Sequence, residues 1–236
     1  MKNTLAIAQR ELTTYFAAPL AYIIAAAFLG INGFLFGWAV LSSRQASMDF
    51  AFSDMGIILL LLMPALTMRL LADEQRTGTL ELLLTAPVRD VEVVLGKYFG
   101  TFILFLAMLA PTLLYAYFLI AFGKPDVGPI VAGYLGIVLV GGAFTAIGLL
   151  TSSLTQNPVV AAVLGFALGL LLWLLDGLSQ AVQTSAGSFF SYVAISPHLD
   201  NFTRGTIQTK DVVYFLTLIV AALFLTDRVL EYRRWR

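Results

Sequence analysis

The sequence lacks cysteine, contains a single histidine (His198) and is poor in charge. Without cysteine there can be no disulfide framework, thiolate nucleophile or cysteine-ligated metal, and one histidine cannot build a multi-histidine metal site. Charged residues make up 12% of the 236 residues, about half of the roughly 25% that is usual in soluble domains. Water therefore cannot be the solvent for most of the surface, and the composition indicates an integral membrane protein.

Sequence motifs for ATP hydrolysis and proteolysis are also missing. The Gly96-Lys97 pair is followed by tyrosine and the Gly123-Lys124 pair by proline, so neither completes a phosphate-binding G-x-x-x-x-G-K-[ST] loop. There is no H-E-x-x-H and no Ser/His pair at one membrane depth. The net charge of zero argues against a nucleic-acid binder, which needs a basic face. We assign the chain no catalytic residue, no metal ligand and no cofactor of its own.

Long uncharged runs predict an all-α polytopic membrane protein with six transmembrane helices in one domain, 1–236. A helix needs about 20 apolar residues to cross a membrane. The uncharged run 127–175 is long enough for two helices, and its polar stretch 151–158 is typical of a tight turn between them. The predicted spans are about 18–41, 55–72, 97–122, 128–151, 158–176 and 211–228.

The basic residues predict the orientation of the spans. With six spans, both termini lie on one side, and basic residues concentrate on the cytoplasmic side of membrane proteins. The termini side holds Lys2, Arg10, Arg69, Arg76, Arg89, Lys97, Arg228, Arg233, Arg234 and Arg236. The other side holds only Arg44, Lys124, Arg204 and Lys210. We therefore expect both termini in the cytoplasm.

The N-terminal segment about 3–16 predicts an interfacial helix. Its apolar residues recur at helical spacing, and Pro19 marks a bend into the first span. The helix is either an ordinary amphipathic anchor or a more specific elbow, and periodicity does not decide between them. The apolar face consists of Leu5, Ala8, Leu12, Tyr15 and Phe16.

The segment 73–97 predicts a second short helix outside the membrane. Gly78 interrupts the helix that leaves the second span, residues 79–85 can form a separate helix, and Pro87 ends it. Such a helix fits helix-in-groove docking onto a partner, but periodicity alone favours a loop helix packed on its own protein or on lipid. Its apolar face is Leu80, Leu83 and Leu84, with Glu81 pointing elsewhere.

The extracytoplasmic segment 177–210 is too long for a plain turn and too short for a folded domain. Its apolar part around Phe189 and Ile195 is expected at the outer membrane interface, and 196–205 is expected to be a turn that reconnects to the last span. We expect His198 to make structural hydrogen bonds and give it no catalytic role.

The residues argue against two other classes of function. A secondary carrier or channel would normally bury ionisable groups at mid-membrane depth, and the predicted spans have almost none there. A membrane enzyme would need a nucleophile–base pair or a metal site, which the sequence does not supply. Energy for transport would therefore come from a partner, or transport would need no energy source.

The segment 74–97 resembles the cytoplasmic signature of ABC-2 type permeases, E-x-x-x-G-T-x-E-x-L-x-x-x-P with G-K at the start of the third span. The matching positions are Glu74, Gly78, Thr79, Glu81, Leu83, Pro87, Gly96 and Lys97. The N-terminal residues that resemble the elbow of the family are Arg10, Glu11, Leu12, Tyr15, Phe16 and Pro19. The residues that look more particularly like gliding-motility permeases are His198, Phe202, Arg204, Gly205, Asp211, Tyr214 and Phe215.

This resemblance implies a permease that pairs with a second permease subunit and sits on cytoplasmic ATPase subunits, where ATP and Mg²⁺ would bind. It makes 79–85 the coupling helix. The implied output is export or force transmission to an extracytoplasmic partner, with membrane lipids around the spans and no nucleic acid. The implied ATPase-binding residues are Glu74, Arg76, Thr77, Gly78, Thr79, Leu80, Glu81, Leu83, Leu84 and Pro87. The chain has no fused ATPase and no folded extracytoplasmic domain, so the substrate is left open.

Overall fold

The computed structural model describes residues 2–43, 47–79, 88–123, 125–181 and 185–234. These ranges are almost entirely helical and contain no β-strand. We number the helices in chain order: α1 Lys2–Ala17, α2 Pro19–Ser43, α3 Asp49–Thr67, α4 Ala72–Thr77, α5 Asp90–Leu109, α6 Leu113–Phe122, α7 Val127–Leu154, α8 Pro158–Ala181, α9 Ser185–Val193, α10 Ile195–Thr203 and α11 Thr209–Arg234.

Six helical segments of the described chain are long and apolar enough to cross a membrane: Pro19–Ser42, Asp49–Thr77, Asp90–Phe122, Val127–Leu154, Pro158–Ser179 and Thr209–Arg233. The prediction of an all-α membrane protein with six spans is therefore confirmed. We call the end of the bundle that carries both termini the terminal end, and the opposite end, with the residues between the fifth and sixth spans, the far end.

Two spans are interrupted where the sequence predicted continuous helices. The second span leaves α-helical geometry at Met68–Leu71 before α4 begins. The third span contains a 3₁₀ turn at Ala110–Thr112, between α5 and α6. Pro111 explains the second break, because proline has no N–H to donate and its ring clashes with the preceding turn.

The second and fourth spans form the centre of the bundle. In these two spans 67% and 72% of the apolar window is buried, against 17% for the first and last spans. The centre of α7 is rich in glycine because side chains of neighbouring helices occupy the space of a Cβ. A Cβ on Gly133 would lie 2.2 Å from Phe52 Cε2, and one on Gly141 would lie 2.3 Å from Phe105 Cε1. Glycine here permits close helix approach.

Between α8 and α11, the far end is closed by two short helices, α9 and α10, which we call the cap (Ser185–Thr203). The prediction of a turn over 196–205 is wrong for its first part, because a helix covers Ile195–Thr203. The side chains that α10 buries are spaced i, i+3, i+4, i+7 and i+8 along it. These are Ile195, His198, Leu199, Phe202 and Thr203.

Candidate functional site

A buried lysine joins three helices at the terminal end. Lys97 Nζ, on α5, donates to Glu11 Oε1 on α1 at 2.7 Å and to Glu74 Oε1 on α4 at 2.8 Å. The side chain of Lys97 is 1% exposed, while Glu11 and Glu74 are 14% and 17% exposed. A buried ammonium is tolerated only when carboxylates compensate its charge. We call these three residues the triad.

The triad forms because α1 lies directly on α5. A Cβ on Gly96 would lie 2.7 Å from Ile7 Cβ, and a Cβ on Gly100 would lie 2.8 Å from Glu11 Cβ. The two glycines therefore allow the close approach that brings Glu11 to Lys97. By contrast, a Cβ on Gly37 of the first span would meet nothing within 4 Å.

The N-terminal helix packs on the protein rather than lying freely at an interface. Ala8 is buried, and Leu12 and Tyr15 pack against the core, while Leu5 and Phe16 are largely exposed. The face of α1 that is buried therefore differs from the apolar face that periodicity predicts. It is rotated about the helix axis toward Glu11. The remaining elbow residues are Arg10, which is exposed, and Pro19, which begins α2.

Tyr15 ties α1 to the end of the second span. Its hydroxyl donates to the backbone oxygen of Leu66 at 2.9 Å, and Thr101 Oγ1 lies 3.4 Å from the same hydroxyl. Burial raises the pKa of Tyr15, a shift that the contact with Thr101 opposes. The phenol therefore stays protonated, and its O–H group remains available to donate to the Leu66 oxygen.

Ser152, at the end of α7, fixes the break after the second span. Its Oγ accepts from the backbone N–H groups of Leu71 and Ala72, both at 3.0 Å, and donates to Met68 O at 3.0 Å. One hydroxyl thus uses its donor and both acceptor positions. Gln75 Nε2 donates to the backbone oxygen of Ser153 at 2.9 Å. The start of α4 is therefore anchored to the fourth span.

Helix α4 ends at a glycine in left-handed geometry. Gly78 has φ +72°, a conformation that glycine adopts without strain and that commonly ends a helix. Arg76, Thr77 and Thr79 are exposed around it, and the Thr77 and Thr79 hydroxyls are 2.9 Å apart. The other predicted docking residues, Leu80, Glu81, Leu83, Leu84 and Pro87, lie outside the described residues.

A cavity of about 280 Å³ separates α1 from the chain that leaves the second span. All three triad residues contribute to its lining, together with Arg10 and Arg69. Glu74 Oε2 is buried and has no hydrogen-bond partner among the described residues. The triad also carries two carboxylates against one ammonium, so its charges are not balanced within the group.

The far-end residues selected from the sequence belong to a different cluster. His198 contacts Asp211, and Phe202 packs against Gly136. Arg204 is exposed, and Gly205 has φ +82° beside Pro129. The structure therefore brings His198 and Asp211 together at the far end. Neither of them lies near the predicted residues of the terminal end.

Lys97 and Ser152 were not among the predicted site residues. The sequence identified Lys97 as a basic residue of the termini side and as part of the G-K match, but not as a site residue, because its partners are 86 and 23 residues away. The available signal was one lysine at the start of an apolar span, with acidic residues at the same predicted depth. Within the described ranges, no group of three or more His, Cys, Asp or Glu residues could hold a metal ion.

Comparison with known families supports a transporter. The family model described as ABC-2 family transporter protein matches residues 40–225, which is more than half of the chain. No curated protein matches the chain at a significant level.

Proposed function

The chain belongs to the ABC-2 transporter family and is thus a multi-pass membrane permease, and from this premise we propose how it is driven. We infer that a separate cytoplasmic ATPase subunit binds at the terminal end and moves the permease. ATP and Mg²⁺ would bind to that subunit. The terminal end would then face the cytoplasm, as the distribution of basic residues predicts. The membrane would be the bacterial inner membrane, as the family resemblance implies.

The triad is the observation that carries this proposal. It joins the elbow helix α1, the helix α4 that leads into residues 79–85, and the third span through one buried ammonium. A push on 79–85 would reach Glu74 through only a few residues. Because Lys97 also binds Glu11, α1 and α5 would be drawn along with α4.

The contacts of Ser152 and Gln75 support the proposal that α4 transmits movement as a rigid element rather than as a flexible loop. They attach α4 to the end of the central fourth span. Movement at the terminal end would therefore reach both central spans, the second through the chain itself and the fourth through these hydrogen bonds. Rocking of packed helices can open one side of a membrane path and close the other.

The outer faces of the bundle suit lipid and a second permease subunit. The first, fifth and sixth spans are mostly exposed in the single chain, and their exposed side chains are largely apolar, including Phe34, Val163 and Val220. In a membrane such faces contact lipid or another apolar helix. We propose a dimer of permeases, of identical or related chains.

The output is either export of a lipid-like or amphiphilic substrate or transmission of force to an extracytoplasmic partner. The resemblance of the far-end residues to gliding-motility permeases favours the second. An ATPase-independent carrier is the alternative, but the buried ionisable groups of the described chain, Lys97 and the His198–Asp211 pair, are already paired.

A pull-down tests the dependence on an ATPase. Tagged chain purified from its own host in mild detergent should carry an ATP-binding subunit. Leu83→Ala with Glu81→Lys should weaken that association by orders of magnitude, because a buried leucine and a buried charge contact each typically contribute about 2–5 kcal/mol. Thermal melting of the permease should hardly change.

The matched control is an equally drastic change on an exposed far-end site, Lys210→Glu, which should leave the pull-down intact. A stable wild-type permease that retains no ATP-binding subunit, and that transports in vesicles without ATP, would establish the carrier instead. Lost melting stability with an intact complex would remove the coupling role from 79–85.

A further inference from the structure

The cap is tied to the last span by a buried histidine–aspartate contact. His198 Nδ1 lies 2.6 Å from Asp211 Oδ1, and Nε2 lies 2.9 Å from the backbone oxygen of Tyr192. Asn201 Nδ2 donates to the second Asp211 oxygen at 2.9 Å. The side chains of His198 and Asp211 are 6% and 0% exposed, so water cannot replace these partners.

Counting donors and acceptors identifies the protons at this contact. A backbone carbonyl can only accept, so Nε2 must carry a hydrogen. Nδ1 faces a carboxyl oxygen at 2.6 Å, so a second hydrogen must lie between those atoms. A neutral imidazole has only one N–H. The site therefore holds one proton more than a neutral histidine beside a carboxylate.

The surroundings assign that extra proton to the imidazole. Asp211 lies in the first turn of α11, where the helix dipole favours a negative charge, and its other oxygen already accepts from Asn201. The ring of Tyr214 stacks on His198 with centroids 4.0 Å apart, and an aromatic face attracts a cation. Both neighbours stabilise imidazolium and carboxylate together.

The other groups near the contact do not offer a competing partner. Tyr192 meets the His198 ring edge-on, and the Tyr214 hydroxyl donates to Val193 O at 2.6 Å. Asp200 interacts electrostatically with Arg204 and with Asp176 of α8. On the remaining sides, α10 packs through Leu199 against Gly56 of α3 and through Phe202 against Gly136 of the uncharged helix α7.

We propose that His198 is an imidazolium and that its ion pair with Asp211 is a latch that keeps the cap seated in the far end of the bundle. Loss of either charge leaves the other buried without compensation, which strongly favours exposing it to water. Release of the latch would lift α10 away from α3 and α7 and open the far end. This inference concerns the far end alone and does not depend on the ATPase.

The charge state is tested on the unmodified protein. Since the chain has one histidine, labelling with ¹⁵N-histidine gives signals from two ring nitrogens only. At neutral pH both should show a directly bonded hydrogen. A ring nitrogen without a hydrogen would overturn the proposal, and this measurement requires no variant to fold.

The latch is tested by cysteine accessibility in the cysteine-free chain. Thr203→Cys, at a buried site on α10, should react slowly with an impermeant thiol reagent. Adding Asp211→Asn or His198→Gln should raise the rate at least tenfold, which is about 1.4 kcal/mol, and combining both changes should raise it less than either alone. Thr206→Cys, at an exposed site three residues away, should react equally in every background.

Asp200→Asn is the matched control, since it removes a carboxylate from the same helix without touching His198. It should leave the Thr203→Cys rate unchanged. Equal labelling of Thr203→Cys with and without Asp211→Asn would refute the latch, as would an equal acceleration by Asp200→Asn.

Discussion

The two ends of the bundle hold charge in opposite ways. At the terminal end, one ammonium bridges two carboxylates from helices far apart in the sequence, and both carboxylates keep some exposure beside a cavity. At the far end, one histidine meets one aspartate 13 residues away, both are buried, and both carboxyl oxygens of the aspartate have partners. The first arrangement is unbalanced and joins three elements, whereas the second is balanced and joins two.

This difference indicates different mechanical roles. Glu74 Oε2 is buried and has no hydrogen-bond partner among the described residues, so a movement of α4 breaks no hydrogen bond of that oxygen. The His198–Asp211 pair has satisfied partners, and opening it would leave buried polar groups unpaired. In the mechanism proposed above, the terminal end would transmit movement, and the far end would hold one position until it is released.

The largest expected effect comes from removing the shared cation at the terminal end. Lys97→Met would leave Glu11 and Glu74 facing each other without compensation, at a cost of about 3–5 kcal/mol. Thermal melting in detergent should fall sharply. Lys210→Met, at an exposed lysine on the far end, should melt like the wild type. Unchanged melting of Lys97→Met would mean that the triad contributes nothing.

A smaller effect is expected when α4 loses its anchor. Ser152→Ala would remove the one acceptor that the Leu71 and Ala72 amides share, and losing a buried hydrogen-bond acceptor typically costs about 1–3 kcal/mol. Hydrogen exchange should accelerate at these two amides more than elsewhere. Ser153→Ala is the matched control, because Ser153 Oγ only donates to Leu150 O. Equal exchange in both variants would contradict the anchoring role.

Separating α1 from α5 should cost less again. Gly100→Ala would place a Cβ 2.8 Å from Glu11 Cβ and 3.1 Å from Ala8 O, and such overpacking costs about 1–3 kcal/mol, partly offset by the better helix propensity of alanine. Gly37→Ala, which meets nothing within 4 Å, should be neutral or stabilising. Similar melting temperatures for the two variants would argue against close packing of α1.

The smallest effect should come from an acid on the cap that takes no part in the latch. Partial burial raises the pKa of Asp200, with Arg204 opposing and Asp176 reinforcing the shift. A carboxyl with a raised pKa in the folded state destabilises that state when ionised, so Asp200→Asn should slightly raise the melting temperature at neutral pH. The gain should vanish as the pH falls through the raised pKa. A melting temperature lowered at neutral pH would reverse this sign.

Much of the architecture could be predicted from hydropathy. The six spans follow from the length of the apolar runs, since backbone polar groups in lipid must be satisfied within a helix. The break at Pro111 could also have been predicted, because an interior proline removes a helical hydrogen bond. The helix Ile195–Thr203 was missed although its apolar spacing is visible, because Ser196-Pro197 and Arg204-Gly205 resemble turn residues.

The sequence by itself determined the class of protein, the number of spans and the residues available for charge pairing. Only the tertiary structure decided which of these residues meet: Lys97 with Glu11 and Glu74, and His198 with Asp211 rather than with the nearby Asp200. The physical reason is that lipid is as apolar as the interior of the bundle, so hydrophobicity does not mark which face of a span is buried. Which face of a span is buried depends on glycines such as Gly96 and Gly133, where a neighbouring side chain occupies the place of a Cβ. Those side chains become neighbours only when the helices pack.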